Sequence, residues 1–470
     1  MSYRMILPID STTMYTDLTI TAMSKAAFRK LNGLGSIAVL FLFGSSLAAE
    51  ELSLHQAVQL ALQHNVEIAN AALDVSKAKD RSAAFRTSLF PKLSTYMLGS
   101  EQLQPVNITI PQGTLGIYKG MGPIPAQDVK YSTPMQPTGF LFARIAQPLS
   151  SIYRTRLTLK ALNLSTQLAQ QKTRSKRQDV VRNVKQLYYN IEQVQSSLVA
   201  MQETIRLYKE VERLTSDYVT KQTALESELL QAQTSLAEAE QSELSLSNQE
   251  AKQKEQLNDL LGRDVLTEFT VVEMKQAVNS ESDLTAARRR ALAQRPEIEQ
   301  ARLKTMQSEQ EVRAKRAEYI PEVSAEFNSI TLLNYNSFLP GGTYSVGVSL
   351  SWEPFDWGRK KHEIAEKQDT VSQDKNTQAE TERKVIMDVD DKYRQTQESW
   401  SKLRTAKLSQ RAALEALRVN KNQYEVQAVL LKVVFQSEAT LAQANSNYQH
   451  ALADYWSAKA EFEHALGEDQ

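Results

Sequence analysis

The most distinctive pattern in the chain is a strict alternation in the stretch TYSVGVSLSWEPFDWG, residues 343–358. From Tyr344 to Trp352 every second residue is apolar, and the residues between them are serine or glycine. Successive side chains of a β-strand point to opposite faces, so the pattern predicts a strand with one apolar face and one small, polar face.

A different pattern fills most of the remaining sequence. Between Val181 and Val211 apolar residues recur three or four positions apart, with a period slightly below 3.6. Such a stripe predicts helices that wind around each other in a left-handed supercoil. No Pro or Gly interrupts residues 151–219, so one helix of roughly 100 Å is expected there. A break near 219–223 leads to a return helix that ends at Gly262 as its C-cap.

The sequence also contains an internal repeat. Residues 61–94 align without gaps on 291–324, which places Pro91 and Pro321 230 positions apart (321 − 91). The alignment predicts two homologous halves, 50–264 and 283–468, joined by a linker at 265–282. Each half reads helix, strand, strand, long helix and return helix. The strands are predicted over about 92–103 and 138–148 in the first half, and over about 322–331 and 343–353 in the second.

The proline in each half marks the end of its opening helix. These helices are expected over 54–90 and 284–320, because proline disfavours helical geometry in the residue before it. Between the two strands of the first half, residues 104–137 are rich in Pro and Gly and predict a surface excursion.

The N-terminal region has the organisation of a secretory signal. Lys25, Arg29 and Lys30 precede an apolar run from Ile37 to Phe43, and small residues follow up to Ala49. Residues 1–49 are therefore interpreted as a signal peptide with an N-terminal extension, in which Met23 is a possible true start. A buried N-terminal helix is the alternative. No other stretch approaches the ~20 apolar residues of a membrane helix.

Composition narrows the choice of partners and chemistry. The 55 basic and 55 acidic residues balance, so nothing suggests a nucleic-acid partner. The chain contains no cysteine, which excludes disulfides, thiolate metal sites and a cysteine nucleophile. No phosphate-binding loop or nucleophile–base pair is recognisable, so neither an enzyme nor a cofactor is predicted.

Several other polar groups have two interpretations. The five histidines show no metal-binding spacing and are expected at solvated helix positions. Asp388, Asp390 and Asp391 either line a tunnel or lie on a solvated helix face. Arg288 and its two arginine neighbours are expected to face water or a carboxylate. Tyr188 and Tyr393 recur in the two halves and favour interhelical packing over substrate contact.

The strands cannot form an ordinary soluble core. Each half contributes two, and four strands are too few to close a barrel alone. An exported sheet with an apolar outside can close in an outer membrane when three chains supply twelve strands. A small β-sandwich capping a coiled-coil rod is the alternative.

The sequence also resembles a known family. LSLHQAVQLALQHNVEIANA (52–71), AFRTSLFPKLS (84–94), VSLSWEPFDWGRK (348–360) and the stretch 422–467 are similar to the TolC family of outer-membrane efflux proteins. The resemblance covers both halves. It implies a mainly α fold with a membrane β-barrel: a homotrimer with a twelve-stranded barrel in the bacterial outer membrane and a long α-helical barrel in the periplasm. It also implies a passive conduit that works with a periplasmic adaptor and an inner-membrane RND or ABC pump.

The resemblance places a gate and the adaptor-docking region at two helix tips. The residues concerned are Tyr218, Lys221, Gln222 and Glu228 in the first tip, and Tyr424, Gln427, Lys432, Val433 and Gln436 in the second. Lys221 and Gln427 stand where the family usually has a glycine, and Val433 and Gln436 where well-known members carry aspartates. Only Glu228 keeps an acid. Closure is therefore expected to depend on packing and other polar contacts rather than on an acidic ring.

The resemblance also assigns the joints between barrel and helices. Pro148 and Pro354 mark the strand–helix joints, and Pro91 and Pro321 the helix–strand joints. Independently of the resemblance, the length of the apolar stripe from Tyr344 to Trp352 predicts that these two aromatic residues lie near the two membrane interfaces. The family usually has Pro-Leu at the strand–helix joint, but this chain has Glu353-Pro354 in the second half. We therefore expect the two joints to bend differently. Two functions stay open: an outer-membrane export conduit, whose cargo the sequence does not name, and a non-conducting coiled-coil tether that spans the periplasm.

Overall fold

The computed structural model describes residues 50–101, 103–132, 135–223, 225–273, 283–334, 341–426, 428–429 and 431–469. The signal peptide and extension predicted over 1–49 lie outside these ranges, as does Gln427. All of the described ranges belong to one compact unit, Ala49–Gln470.

Helices dominate the described chain. They are α1 (Leu54–His64), α2 (Val66–Arg86), α3 (Ser151–Thr220), α4 (Glu226–Leu261), α5 (Leu284–Gln294), α6 (Pro296–Arg316), α7 (Arg359–Glu425) and α8 (Leu431–Ala465). At 70 residues α3 is the longest, and a rise of 1.5 Å per residue gives it a length of about 105 Å.

The strands form one larger sheet and three small ones. They are β1 (Glu50–Leu52), β2 (Lys92–Glu101), β3 (Asn107–Ile110), β4 (Ile117–Tyr118), β5 (Gly122–Pro123), β6 (Val129–Ser132), β7 (Pro137–Pro148), β8 (Phe269–Val271), β9 (Glu322–Leu333) and β10 (Gly342–Ser351). The larger sheet has the antiparallel order β10-β9-β7-β2, so each half of the chain contributes one outer and one inner strand.

Each opening helix is divided in two, contrary to the single helices expected over 54–90 and 284–320. The backbone is extended at Asn65, between α1 and α2, and at Arg295, between α5 and α6. Asn65 caps α2 by accepting hydrogen bonds from the N–H groups of Glu67 and Ile68 at 2.9 and 3.2 Å. Arg295 precedes Pro296, which disfavours helical geometry there and then serves as the first residue of α6.

The long helix α3 organises the first half. Its predicted stripe is buried at Val181, Val184, Tyr188, Ile191 and Val194. It packs on α1 and α2, on α4, and on α6 and α8 of the second half. The short helices α1 and α2 and the return helix α4 therefore all pack along α3, which is the arrangement expected of a coiled-coil bundle.

Two segments without predicted structure contain strands. Within the excursion 104–137, β3 pairs with β6 and β4 with β5. Within the linker 265–282, β8 pairs in parallel with β1. The Tyr188 hydroxyl lies 2.9 Å from the carbonyl oxygen of Leu52 and accepts a hydrogen bond from the N–H of Val272 at 3.0 Å. Tyr188 therefore connects α3 to both strands of this small sheet at their common C-terminal end, a packing role.

Ion pairs connect the segment of α5 and α6 to α7 in the second half. Arg288 makes a bidentate pair with Asp390, with both N–O distances at 2.7 Å. Arg295 pairs with Asp388, and Tyr393 packs on Phe462 with ring centroids 5.9 Å apart. Two of the three aspartates considered as tunnel-lining groups are thus engaged between helices within the chain.

Candidate functional site

The larger sheet leaves both of its edges open within the described chain. β7 and β9 each pair on both sides, whereas β2 pairs only with β7 and β10 only with β9. An unpaired edge strand presents free N–H and C=O groups that another strand can meet. The backbone groups of β2 and β10 are therefore available to pair with a strand of another chain.

One face of the sheet is apolar and exposed. Tyr344, Val346, Val348 and Leu350 of β10, and Trp352 directly after it, expose between 60% and 83% of their surface. The register places Val346 opposite Phe327, Phe327 opposite Ile145, and Ile145 opposite Leu93. All of these side chains share one face, because residues directly opposite each other in a sheet point to the same side.

The other face changes character along the strands. Near the end that joins the helices it carries Lys92, Ser94, Arg144, Glu326 and Ser349. Towards the opposite end it carries rings instead: Phe142 lies 6.1 Å from Tyr96 and 6.2 Å from Phe140, measured between centroids. The small, polar face predicted from β10 alone is therefore polar over only part of the sheet.

The first strand–helix joint is short and tightly bonded. Pro148 ends β7 and α3 begins at Ser151. The hydroxyl of Ser150 donates to the carbonyl of Pro321 at 2.6 Å and accepts from the N–H of Val323 at 2.8 Å. These bonds connect the joint at Pro148 to the helix–strand joint at Pro321.

The second strand–helix joint is longer. Seven residues, 352–358, separate β10 from α7, and Trp357 adopts a left-handed backbone with φ of 56°. The carboxylate of Asp356 accepts hydrogen bonds from the N–H groups of Lys360 at 3.0 Å and Gly358 at 3.1 Å, and these bonds lower its pKa below the ordinary value. The two joints therefore differ in length and in the way their backbone is held.

The first tip turns without glycine. Lys221 is the C-cap of α3, and Gln222 takes the left-handed conformation with φ of 57°. The N–H of Thr223 donates to the carbonyl of Tyr218 at 2.8 Å, and its hydroxyl donates to the same oxygen at 3.0 Å. Glu228 lies exposed in the first turn of α4.

The second tip joins α7 to α8. The N–H of Ala428 donates to the carbonyl of Gln423 at 2.8 Å. The side chain of Tyr424 lies outside the described part of the structure. Lys432, Val433 and Gln436 are exposed. Val434 and Ser437 instead pack inward, and Ser437 accepts a hydrogen bond from Asn420 of α7 at 2.6 Å. Val433 and Gln436, two of the positions that depart from the family pattern, therefore lie on the side of α8 that is exposed in the single chain.

Within the described ranges, no group of three or more acidic or histidine side chains could hold a metal ion. None of the helices in those ranges has a stretch long and apolar enough to span a membrane. His464 contacts Asp179 at 3.2 Å and His450 contacts Gln193 at 3.1 Å, so both take part in helix packing.

Sequence reasoning missed the charged pair on the polar face and the aromatic pair at the second joint. Arg144 is the only charged residue in β7, and its isolation in an apolar strand was the available signal. Phe355 and Trp357 form an exposed edge-to-face pair with centroids 4.8 Å apart. Their contact depends on the left-handed turn at Trp357, which the sequence pattern does not reveal.

The architecture is shared by crystal structures of bacterial channels. The chain is similar to the CmeC outer membrane channel of Campylobacter jejuni (15% identity, TM-score 0.70, covering 88% of this chain and 85% of that one). It is also similar to the outer membrane protein VceC of Vibrio cholerae (15%, 0.69, 88% and 96%) and the MtrE channel of Neisseria gonorrhoeae in its open state (16%, 0.67, 88% and 89%). A search among curated proteins found no significant match.

The fold is thus that of an outer-membrane channel subunit. A family model described as outer membrane efflux protein matches residues 57–263 and 287–468, which is most of both halves. The chain belongs to the outer membrane efflux protein family. This confirms the resemblance seen in the sequence and places the protein in the outer membrane, within a family of transport proteins rather than enzymes.

Proposed function

We propose that the protein is the outer-membrane channel of a tripartite export system, and that three copies close the open sheet into a barrel. One observation carries the proposal: in the described part of the chain, the four-stranded sheet has two unpaired edges and two faces of different polarity. Pairing β10 of one copy with β2 of the next gives twelve strands (3 × 4) and leaves no edge unpaired.

In this trimer the apolar face meets lipid and the other face lines the lumen. Eight residue steps separate Tyr344 from Trp352, about 26 Å along an untilted strand and somewhat less when tilted. That span matches the ~25 Å apolar band of an outer-membrane barrel. Tyr344 and Trp352 then lie at the two membrane interfaces.

The proposed conduit is passive. The long helices carry the lumen into the periplasm, where the tips meet an adaptor protein, and an inner-membrane RND or ABC pump supplies energy and most of the selectivity. The cargo is either small molecules or proteins, according to the pump. The partners enter the proposal through family membership.

The tips are proposed as the gate. In the first tip Tyr218, Lys221, Gln222 and Glu228 surround a turn stabilised by backbone bonds. In the second, Val433 and Gln436 are exposed without offering a carboxylate. Tyr424, Gln427 and Lys432 belong to the same proposed gate, and closure is proposed to rest on helix packing and other polar contacts, not on a ring of acids.

Reconstitution tests the function directly. The purified full chain is run unheated on a gel to detect a heat-sensitive trimer band, and is then inserted into a planar bilayer. Discrete conductance steps from the trimer are expected. A stable trimer that inserts but never conducts would favour the alternative, a non-conducting coiled-coil tether.

A further inference from the structure

A charged network lies on the polar face of the larger sheet, close to the helices. Arg144 of β7 pairs with Glu326 of β9. The hydroxyl of Ser349 on β10 donates to the same carboxylate at 2.5 Å. Three strands therefore converge on one side chain, Glu326, whose position is fixed from both sides.

The two members of the pair differ in exposure. The Arg144 side chain exposes 53% of its surface and that of Glu326 only 11%. Arg144 and Ser349 cover the carboxylate, so a solute next to this face meets the guanidinium first. A half-exposed cation over a shielded anion presents a positive surface, although the pair itself is neutral.

Neighbouring charges add to the same sign. Lys92 of β2 is exposed and shares the face, since Ser94, two residues further on, lies opposite Arg144. A second pair joins Arg154 of α3 to Glu322 at the start of β9, at 2.6 Å. Lys92, Arg144 and Arg154 against Glu322 and Glu326 leave one excess positive charge per copy (3 − 2).

We propose that Arg144, covering Glu326 and supported by Lys92, forms a positive belt in the lumen at the periplasmic end of the barrel and makes the channel prefer anions. The inference rests on the proposed function, because the belt closes only when three copies place this face inside a barrel. Arg144 is then a residue that determines charge selectivity, and Glu326 and Ser349 position it.

The physical basis is the confinement of charge in a narrow aqueous passage. Low-dielectric walls focus the field of fixed charges and raise the local concentration of counter-ions. Rings of charged side chains determine ion preference in pores generally. At the second tip Val433 and Gln436 provide no acidic ring, so the belt does not compete with acids at those two positions.

Reversal potentials of the reconstituted full-length trimer across a KCl gradient test the belt. Arg144→Gln uncovers Glu326 and should lower the anion-to-cation permeability ratio by about twofold or more. Glu326→Gln frees Arg144 and should raise the ratio by a similar factor. The opposite signs are the essential readout, because damage to barrel structure would not move the ratio in opposite directions.

Two further variants keep the test decisive. Lys92→Gln leaves the Arg144–Glu326 pair intact and should lower the ratio. This variant tests the belt even where Arg144→Gln or Glu326→Gln assembles poorly. Lys130→Gln removes an equal charge from β6, outside the larger sheet, and should leave the ratio unchanged. The shifts should shrink between about 0.1 M and about 1 M KCl, as the Debye length falls from about 10 to about 3 Å.

The outcomes separate this inference from the proposed function. A wild-type trimer that conducts, with equal ratios in Arg144→Gln, Glu326→Gln and Lys92→Gln, overturns the belt but leaves the channel. A cation-selective wild type also overturns the belt. A wild-type trimer that inserts without conducting contradicts the channel itself.

Discussion

At the residue scale, the two halves place a glycine at the same structural position. Gly262 caps α4 with a left-handed φ of 68° and lies against His64, where α1 ends before the helix break at Asn65. Gly467 follows α8 with φ of 81° and lies against the break at Arg295. Both positions need close backbone approach as well as left-handed geometry, and only glycine provides both without strain.

Gly262→Ala should destabilise the protein strongly. An added Cβ would lie 2.3 Å from the carbonyl oxygen of His64, so backbone must move, and the left-handed conformation adds further cost. We expect a loss of about 2 kcal/mol or more, measured by thermal unfolding of the helical circular dichroism signal in detergent.

Gly347→Ala is the matched control for that experiment, because its Cβ would enter open space in β10. Gly467→Ala should fall between the two, since its nearest contacts are at 3.0 Å. Equal melting of Gly262→Ala and Gly347→Ala would show that the close approach at His64 is not maintained in solution.

At the element scale, the helix tips show how a departure from a family pattern can be accommodated. The first turn forms around Gln222 in a left-handed conformation, with Thr223 closing on Tyr218. The second turn leaves Val433 and Gln436 exposed, while their neighbours Val434 and Ser437 make the helix contact. Substitution at the exposed positions should therefore leave the α7–α8 hairpin folded.

Val433→Asp should create sensitivity to divalent cations. Three copies of an aspartate near the tip would place like charges close together at a narrow opening, which favours cation binding. Single-channel recordings with Mg²⁺ on the periplasmic side should show block in Val433→Asp and in Gln436→Asp, but little in the wild type. Thr440→Asp, about one turn further from the tip than Gln436 and two turns further than Val433, provides a control for added charge. Strong block of the wild type would contradict closure without an acidic ring.

At the scale of the whole molecule, the open sheet is the feature that the single chain leaves incomplete. β2 and β10 stand at opposite edges, separated by β7 and β9. Three interstrand spacings of about 4.8 Å put them about 14 Å apart, well beyond the reach of a disulfide. Any disulfide between these strands must therefore join two chains.

Because the chain has no native cysteine, introduced pairs can report this contact. Ser94→Cys in β2 is combined in turn with Ser345→Cys, Gly347→Cys and Ser349→Cys in β10, on the same face of the sheet. Oxidation should give a covalent trimer for at least one register, visible on a denaturing gel. Single-cysteine variants should give none. If no cysteine pair gives a covalent trimer in outer-membrane preparations, pairing of β2 with β10 of the next copy, with these residues on the same face, is excluded.

Much of the fold follows from local patterns. The alternation of β10, the uninterrupted apolar stripe of α3 and the prolines at 91 and 321 each act within a few residues, so they are readable without coordinates. The break at Asn65 was missed because a long run of helix-forming residues masks one extended residue. The break at Arg295 was missed because Pro296 was not recognised as its signal. The pairing of β1 with β8 was missed because it joins short segments more than 200 residues apart.

The sequence by itself determined the two-fold repeat, the long helices and the two-faced strands, and through the motifs that resemble a family it led to an outer-membrane efflux protein. The tertiary structure decided what lies opposite what: β7 between β2 and β9, Arg144 over Glu326, Gly262 against His64, and Arg288 on Asp390. Periodicity depends on neighbours along the chain, whereas these contacts depend on the register of elements that are distant in sequence. For that reason the charge on the polar face became visible only in the folded sheet.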